Sequence, residues 1–112
     1  MKAINIYVHK HQVSAVIHAL KERGRWETAQ HGGCRNLAVF PVQGSLRPAD
    51  GQDERYSVVL SEAVTDEYKI ELVCDDEDTS ALIDLIRSAA VTGRAKSGWI
   101  FVFAIEEAVS LA

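Results

Sequence analysis

The segment Ile4-Asn5-Ile6-Tyr7-Val8-His9 alternates apolar and polar positions with period two, which predicts a half-buried strand. From Gln12 the period lengthens. Val13, Val16, Ile17 and Leu20 fall at i, i+3, i+4 and i+7, one stripe of a helix, and Gly24 stands where a glycine ends it. Arg25 to Arg35 is polar, contains Gly32-Gly33 and reads as a connector. Leu37 to Val42 predicts a second strand, with Pro41 favouring a sheet edge or a bulge. Gly44 to Arg55 is loop by composition, and Tyr56 to Leu60 is a short β-prone stretch that would turn this loop into a hairpin. Tyr68 to Cys74 alternates again, with Ile70 and Leu72 on one face. The acids Asp75 to Asp78 precede a second helix, where they suit the positive end of its dipole, and Asp78 or Thr79 can cap it. Leu82, Ile83, Ile86, Ala89 and Ala90 form its buried stripe, and Gly93 stops it. Trp99 to Ile105 is apolar on both faces, the pattern of a central or covered strand.

The predicted order is strand, helix, strand, strand, helix, strand. That is the α+β, ferredoxin-like βαββαβ arrangement, an antiparallel sheet with both helices on one face. The 112 residues fit one domain, 1–112. Composition narrows the function. Twelve basic residues against sixteen acidic ones give a formal charge of -4, which argues against neutralising a nucleic-acid backbone. The longest apolar run, Trp99 to Ile105, is far short of the roughly 20 residues that span a bilayer. No apolar leader follows Met1, and two cysteines cannot build a secreted disulfide framework, so the expected location is the cytoplasm.

Candidate chemistry is sparse. Gly93 to Gly98 joins a helix end to a strand, and its backbone N–H groups can cradle an anion; the plainer reading is a helix cap and a turn. His31-Gly32-Gly33-Cys34 is half of a tetrahedral zinc set, with the other histidines and Cys74 on different elements, so no metal is expected. Cys34 and Cys74 lack the C-x-x-C spacing of a redox pair. No Ser-His-Asp or Cys-His set can be assembled, and an enzyme is not expected.

The residues Met1-Lys2-Ala3-Ile4 through Gly24, the strand Tyr68-Lys69-Ile70-Glu71-Leu72-Val73 and the stretch Thr92-Gly93-Arg94-Ala95-Lys96-Ser97-Gly98-Trp99-Ile100-Phe101-Val102 carry a specific resemblance. Together they resemble the PII signal-transduction family, whose C-terminal signature is a Thr-Gly turn, a Gly-Asp-Gly-Lys loop and an Ile-Phe-Val strand. The resemblance implies a homotrimer that binds adenine nucleotide in clefts between subunits. It also implies a mobile T-loop, here approximately residues 44–67, that signals to a target protein such as a transporter or an enzyme. The nucleotide-binding positions it implies are Ala38, Gly44, Ser45, Leu46, Arg47, Val73, Gly93, Arg94, Ala95, Lys96, Ser97, Gly98 and Trp99.

The departures are specific. The Tyr-Arg-Gly-Ala-Glu-Tyr pattern of the T-loop is missing, and Pro48 follows Arg47 where typical members have a glutamine for magnesium and 2-oxoglutarate. Trp99 replaces the signature lysine, and Ser110 and Ala112 fall where two arginines would meet phosphate. Each lost cation removes a charge-assisted hydrogen bond of roughly 1.5–3 kcal/mol from a triphosphate. AMP or ADP is therefore expected to be preferred over magnesium-ATP. The tryptophan resembles the divergent PII-like branch, which includes carboxysome-associated proteins and proteins paired with bicarbonate transporters, so bicarbonate joins the expected effectors. The alternatives are a ligand-free trimeric interaction module and a nitrogen-regulatory PII variant.

Overall fold

The computed structural model describes residues 1–23, 34–46, 54–91 and 98–111. Strand β1 (Lys2–His9) leads through a 3₁₀ turn, Lys10–Gln12, into helix α1 (Val13–Arg23). Strands β2 (Arg35–Gly44), β3 (Glu54–Ser57) and β4 (Glu62–Cys74) follow. Helix α2 (Thr79–Ala90) and strand β5 (Trp99–Ala104) complete the described chain. The sheet is antiparallel with order β2-β4-β1-β5, and β3 pairs with β4 outside that path. This is the ferredoxin-like α+β arrangement that the element order predicts.

The period-two pattern of β1 is realised directly. Ile4, Ile6 and Val8 are buried, and they pair with Leu72, Ile70 and Tyr68 of β4. Val16 and Leu20 of α1 and Leu82 and Ile86 of α2 are buried in the same cluster, with Val13, Ile17, Ala89 and Ala90 packed against it. Asp78 occupies the N-cap of α2 without a side-chain cap bond, and Thr79 Oγ1 instead donates to the Asp75 carbonyl at 3.2 Å. The N-terminal ammonium bonds Asp76 at 2.7 Å and holds its carboxyl below the ordinary range.

Three expectations change. Strand β5 is an edge strand, paired with β1 alone, and Trp99, Phe101, Val102 and Phe103 are exposed. Ile100 packs against the core on the helix side, while Trp99, Phe101 and Phe103 lie open on the other face. The strand expected from Tyr68 begins at Glu62, because its first residues pair with β3 where β1 has already ended. The β-prone Tyr56–Leu60 stretch divides: Tyr56 and Ser57 close β3, while Val58 to Ser61 form the turn, with Ser61 at φ 54°. Ser57 Oγ accepts the Leu60 N–H at 3.2 Å and so closes that turn. Pro41 does sit on an edge strand, β2. Gly24, the connector through Gly33 including His31, and the Gly93 stop lie outside the described residues.

Candidate functional site

Thr65 pairs with both Gly44 of β2 and Glu54 of β3, so β2 and β3 lie on opposite edges of β4. Strand β3 thus continues the line of β1 beyond His9, whose partner is Glu67. Directly opposed residues share a face of an antiparallel sheet. Alternation from the inward Ile70 and Leu72 puts Thr65, Glu67, Lys69, Glu71 and Val73 on the face without helices.

One end of the sheet gathers several chain ends. Gln12 accepts the His9 N–H on Oε1 at 2.7 Å and donates from Nε2 to the Ala90 carbonyl at 2.7 Å. This side chain ties the end of β1 to the end of α2. Across the sheet β2 ends at Gly44, and Ser45 and Leu46 fold back onto β4. Thr65 Oγ1 donates to the Leu46 carbonyl at 2.7 Å, and Glu67 Oε2 accepts the Leu46 N–H at 3.2 Å. Leu46, Thr65, Glu67 and His9 are all buried. Burial pushes the Glu67 carboxyl up; the Leu46 N–H and the nearby His9 oppose that shift without cancelling it.

Gly98 lies beside Tyr7, just ahead of β5. Its φ of +154° and a Cβ position only 2.8 Å from the Tyr7 carbonyl oxygen leave no room for a side chain. Trp99 follows, 62% exposed and stacked on Phe101 with ring centroids 5.8 Å apart. A cleft of about 380 Å³ opens on the helix side between α2 and the β1–β5 pair, lined by Val8, Gln12, Ile86, Arg87, Val91 and Trp99 among others.

The predicted positions therefore divide. Gly44, Ser45 and Leu46 come to one end of the sheet, while Gly98 and Trp99 open β5 beside Tyr7, level with Lys69, four residues along β4 from Thr65 and four from Val73. Ala38 pairs with Glu71 near the middle, and Val73 lies eight residues from Thr65, about 26 Å along β4 at ~3.3 Å per residue. Val73 and the Gly44 end are too far apart to touch one small molecule within a single chain. Arg47, Gly93, Arg94, Ala95, Lys96 and Ser97 lie outside the described residues. Among the described residues no group of three or more His, Cys, Asp or Glu is arranged to hold a metal ion. No described helix is long and apolar enough to cross a membrane.

Sequence reasoning missed Thr65 and Glu67, which clamp the Leu46 backbone. Their only trace was two polar residues at alternate positions just ahead of the Tyr68 strand. It also missed the open sheet face. All three phenylalanines, Phe40, Phe101 and Phe103, share that face with Tyr7 and Trp99. Lys69 Nζ lies 5.5 Å from the Phe40 ring centroid and 2.7 Å from Glu71 Oε2, and the Glu71 bond raises the ammonium's affinity for its proton.

The fold and site define a small ferredoxin-like α+β domain with its loop base clamped at one sheet end and an aromatic open face. Residues 1–111 match the family model described as nitrogen regulatory protein P-II. The chain is 34% identical over 103 residues to the nitrogen regulatory protein P-II of Rhizobium meliloti (strain 1021), covering 89% of each. It is 35% identical over 103 residues to that of Rhodospirillum rubrum, again with 89% of each chain covered. Against the protein of Rhizobium leguminosarum bv. viciae it is 46% identical over 82 residues, covering 70% of this chain and 71% of the other. The chain belongs to the PII family of signalling proteins.

Proposed function

We propose that this protein is a PII-like sensor that assembles as a homotrimer and binds AMP or ADP in preference to magnesium-ATP at clefts between subunits. The observation that carries the reading is the split site. Gly44 to Leu46 stand at one end of the sheet and Val73 near the other, with Gly98-Trp99 at the start of β5 between those levels and an aromatic face lying open. A neighbouring copy on that face would bring one chain's Val73 side toward another chain's loop base. Gly44, Ser45, Leu46 and Arg47 would then meet the nucleotide from one side, and Gly93 to Trp99 from the other, with Ala38 and Val73 against its apolar part.

The signal is a shift in population. Nucleotide favours one arrangement of the segment from about Gly44 to Glu67, and a target protein reads it. The lost phosphate-binding cations favour the mono- and diphosphate, and the tryptophan at position 99 favours bicarbonate as the second effector and a transporter or carbon-metabolising enzyme as target. The names of the relatives favour a second reading, a nitrogen regulator responding to 2-oxoglutarate.

Isothermal titration with AMP, ADP and magnesium-ATP, repeated with bicarbonate and with 2-oxoglutarate, tests both. Tighter AMP or ADP binding that bicarbonate alters supports the sensor. Tight magnesium-ATP binding coupled to 2-oxoglutarate replaces it with the nitrogen regulator. No heat with any nucleotide would leave a ligand-free interaction module.

A further inference from the structure

We propose that Cys34 and Cys74 are a cross-strand disulfide-forming pair, a redox modification site that joins β2 to β4 at the sheet end remote from Gly44. The cysteines are forty residues apart in sequence, but the strand register removes that distance. Arg35 pairs with Val73 in an antiparallel ladder, and one further step outward brings Cys34 opposite Cys74. Both side chains are fully buried and belong to one apolar cluster.

A neighbouring contact fixes this end of the two strands. Arg35 Nη2 donates to Asp75 Oδ1 at 2.7 Å, so the residues that follow the two cysteines are themselves bonded across the strand pair. Directly opposed Cβ atoms lie about 4.5–5.5 Å apart, and a disulfide needs about 3.5–4.5 Å. A rotamer change and a small approach of the strands connect the two geometries. Neither cysteine is in a disulfide in the structure, and Cys74 Sγ lies 3.5 Å from Thr79 Oγ1.

Access comes from the strand irregularity. The β2–β4 register shifts between Arg35 and Ala38, and Asn36 there has φ 53°. The outer end of β2 is therefore cut off from the regular ladder and opens at lower cost than the sheet centre. Burial, then the charges of Cys74 and Asp78, push the Cys34 thiol up to about 11; burial, then Asp78 and Asp75, raise Cys74 against the opposing Thr79 hydrogen bond and N-terminal ammonium. The reduced pair is protonated at neutral pH, and its oxidation accelerates as pH rises.

The step balances with oxidised glutathione as the oxidant. One cysteine loses its proton to solvent, its thiolate attacks a glutathione sulfur, and one glutathione thiolate leaves. The second cysteine, deprotonated in turn, displaces the second glutathione from the mixed disulfide. The two thiols give up two electrons and two protons, and one oxidised glutathione becomes two reduced molecules. The resulting bond encloses residues 35–73, including both ends of the loop-bearing segment.

The test uses the full chain, incubated folded with oxidised glutathione at mildly alkaline pH, quenched with acid, alkylated and weighed intact without reduction. The expected species has lost two hydrogens, gives one peptide linking Cys34 to Cys74, and melts several degrees higher until dithiothreitol is added. Cys34→Ser and Cys74→Ser should each abolish the internal bond and leave only glutathione adducts or free thiol. Wild-type protein that keeps two free thiols, carries glutathione adducts alone, or cross-links only between chains would overturn the proposal. The wild-type measurement decides even if a serine variant fails to fold.

Discussion

The Glu67 carboxylate stands where a side chain at Gly44 would begin, and it accepts the Leu46 N–H at 3.2 Å. Gly44 and Glu67 are thus coupled by space, and Glu67 and Leu46 by a buried hydrogen bond. Gly44→Ala must move the carboxylate and strand the Leu46 N–H, at a cost of about 1–3 kcal/mol. In a Glu67→Ala background the same glycine change meets no obstacle and should cost much less. Urea denaturation of the two single variants and the double variant measures this coupling. Additive losses would mean that the space beside Gly44 does not decide its identity.

The same carboxylate makes stability depend on pH in an unusual direction. Burial raises the Glu67 carboxyl above its ordinary value, so the folded chain holds that proton more tightly than the unfolded chain. Its contribution is greatest below the ordinary carboxylate value and is lost as pH rises through the raised one. Glu67→Gln keeps an acceptor for Leu46 and removes the buried charge. The variant should melt higher than wild type at neutral pH, and the gap should close as pH falls toward about 4. A gap that widens on acidification would show that the ionised form is the favoured one.

Much of the fold was legible because the buried face of each main element repeats with its own period: Ile4, Ile6 and Val8 by two, Val16 and Leu20 by helical spacing. Where burial is made by polar residues the signal vanished. Thr65 and Glu67 are buried because Leu46 folds over them, a contact across about twenty residues with no local pattern. The proposed pairing of Cys34 with Cys74 depends on register, which period alone does not specify. Strand β5 misled for a different reason. Its apolar residues on both faces suggested a covered strand, yet β5 lies at the sheet edge and Trp99, Phe101, Val102 and Phe103 are exposed.

Gly98 offers a test of backbone packing at the candidate site. Its φ of +154° and the Tyr7 carbonyl 2.8 Å from its Cβ position leave no accommodating movement short of shifting β5 against β1. Gly98→Ala should destabilise by about 1–3 kcal/mol and weaken nucleotide binding by displacing Trp99. Thermal melting and AMP titration of the purified variant read both effects. An unchanged melting temperature would show that the Gly98–Tyr7 approach is dispensable.

Arg35 and Asp75 form a partly buried ion pair, with side chains 24% and 31% exposed. Arg35→Ala removes a charge-assisted bond and should cost about 1.5–3 kcal/mol at low salt. The loss is expected to shrink only modestly in high salt, because screening acts weakly on partly buried pairs. Denaturation at two salt concentrations distinguishes this from a surface pair, whose contribution would be small at both.

The open sheet face supplies the last prediction. Phe40, Phe101 and Phe103 are 41%, 43% and 52% exposed, and Trp99 is 62% exposed, all on one face. An aromatic patch of this kind is unfavourable in water and marks a surface made to be covered. If a second copy covers it, a single charge there must be desolvated on assembly, and the assembly should dissociate. In a monomer the same charge would be hydrated and nearly neutral in effect. Phe101→Glu is the sharper choice, because its ring sits between Tyr7, 5.9 Å away, and Trp99, 5.8 Å away, at the centre of the patch. Light scattering after size exclusion should report a trimer for wild type and a folded monomer for the variant. A monomeric wild type, or a variant of unchanged mass, would show that the phenylalanines face something other than copies of this chain.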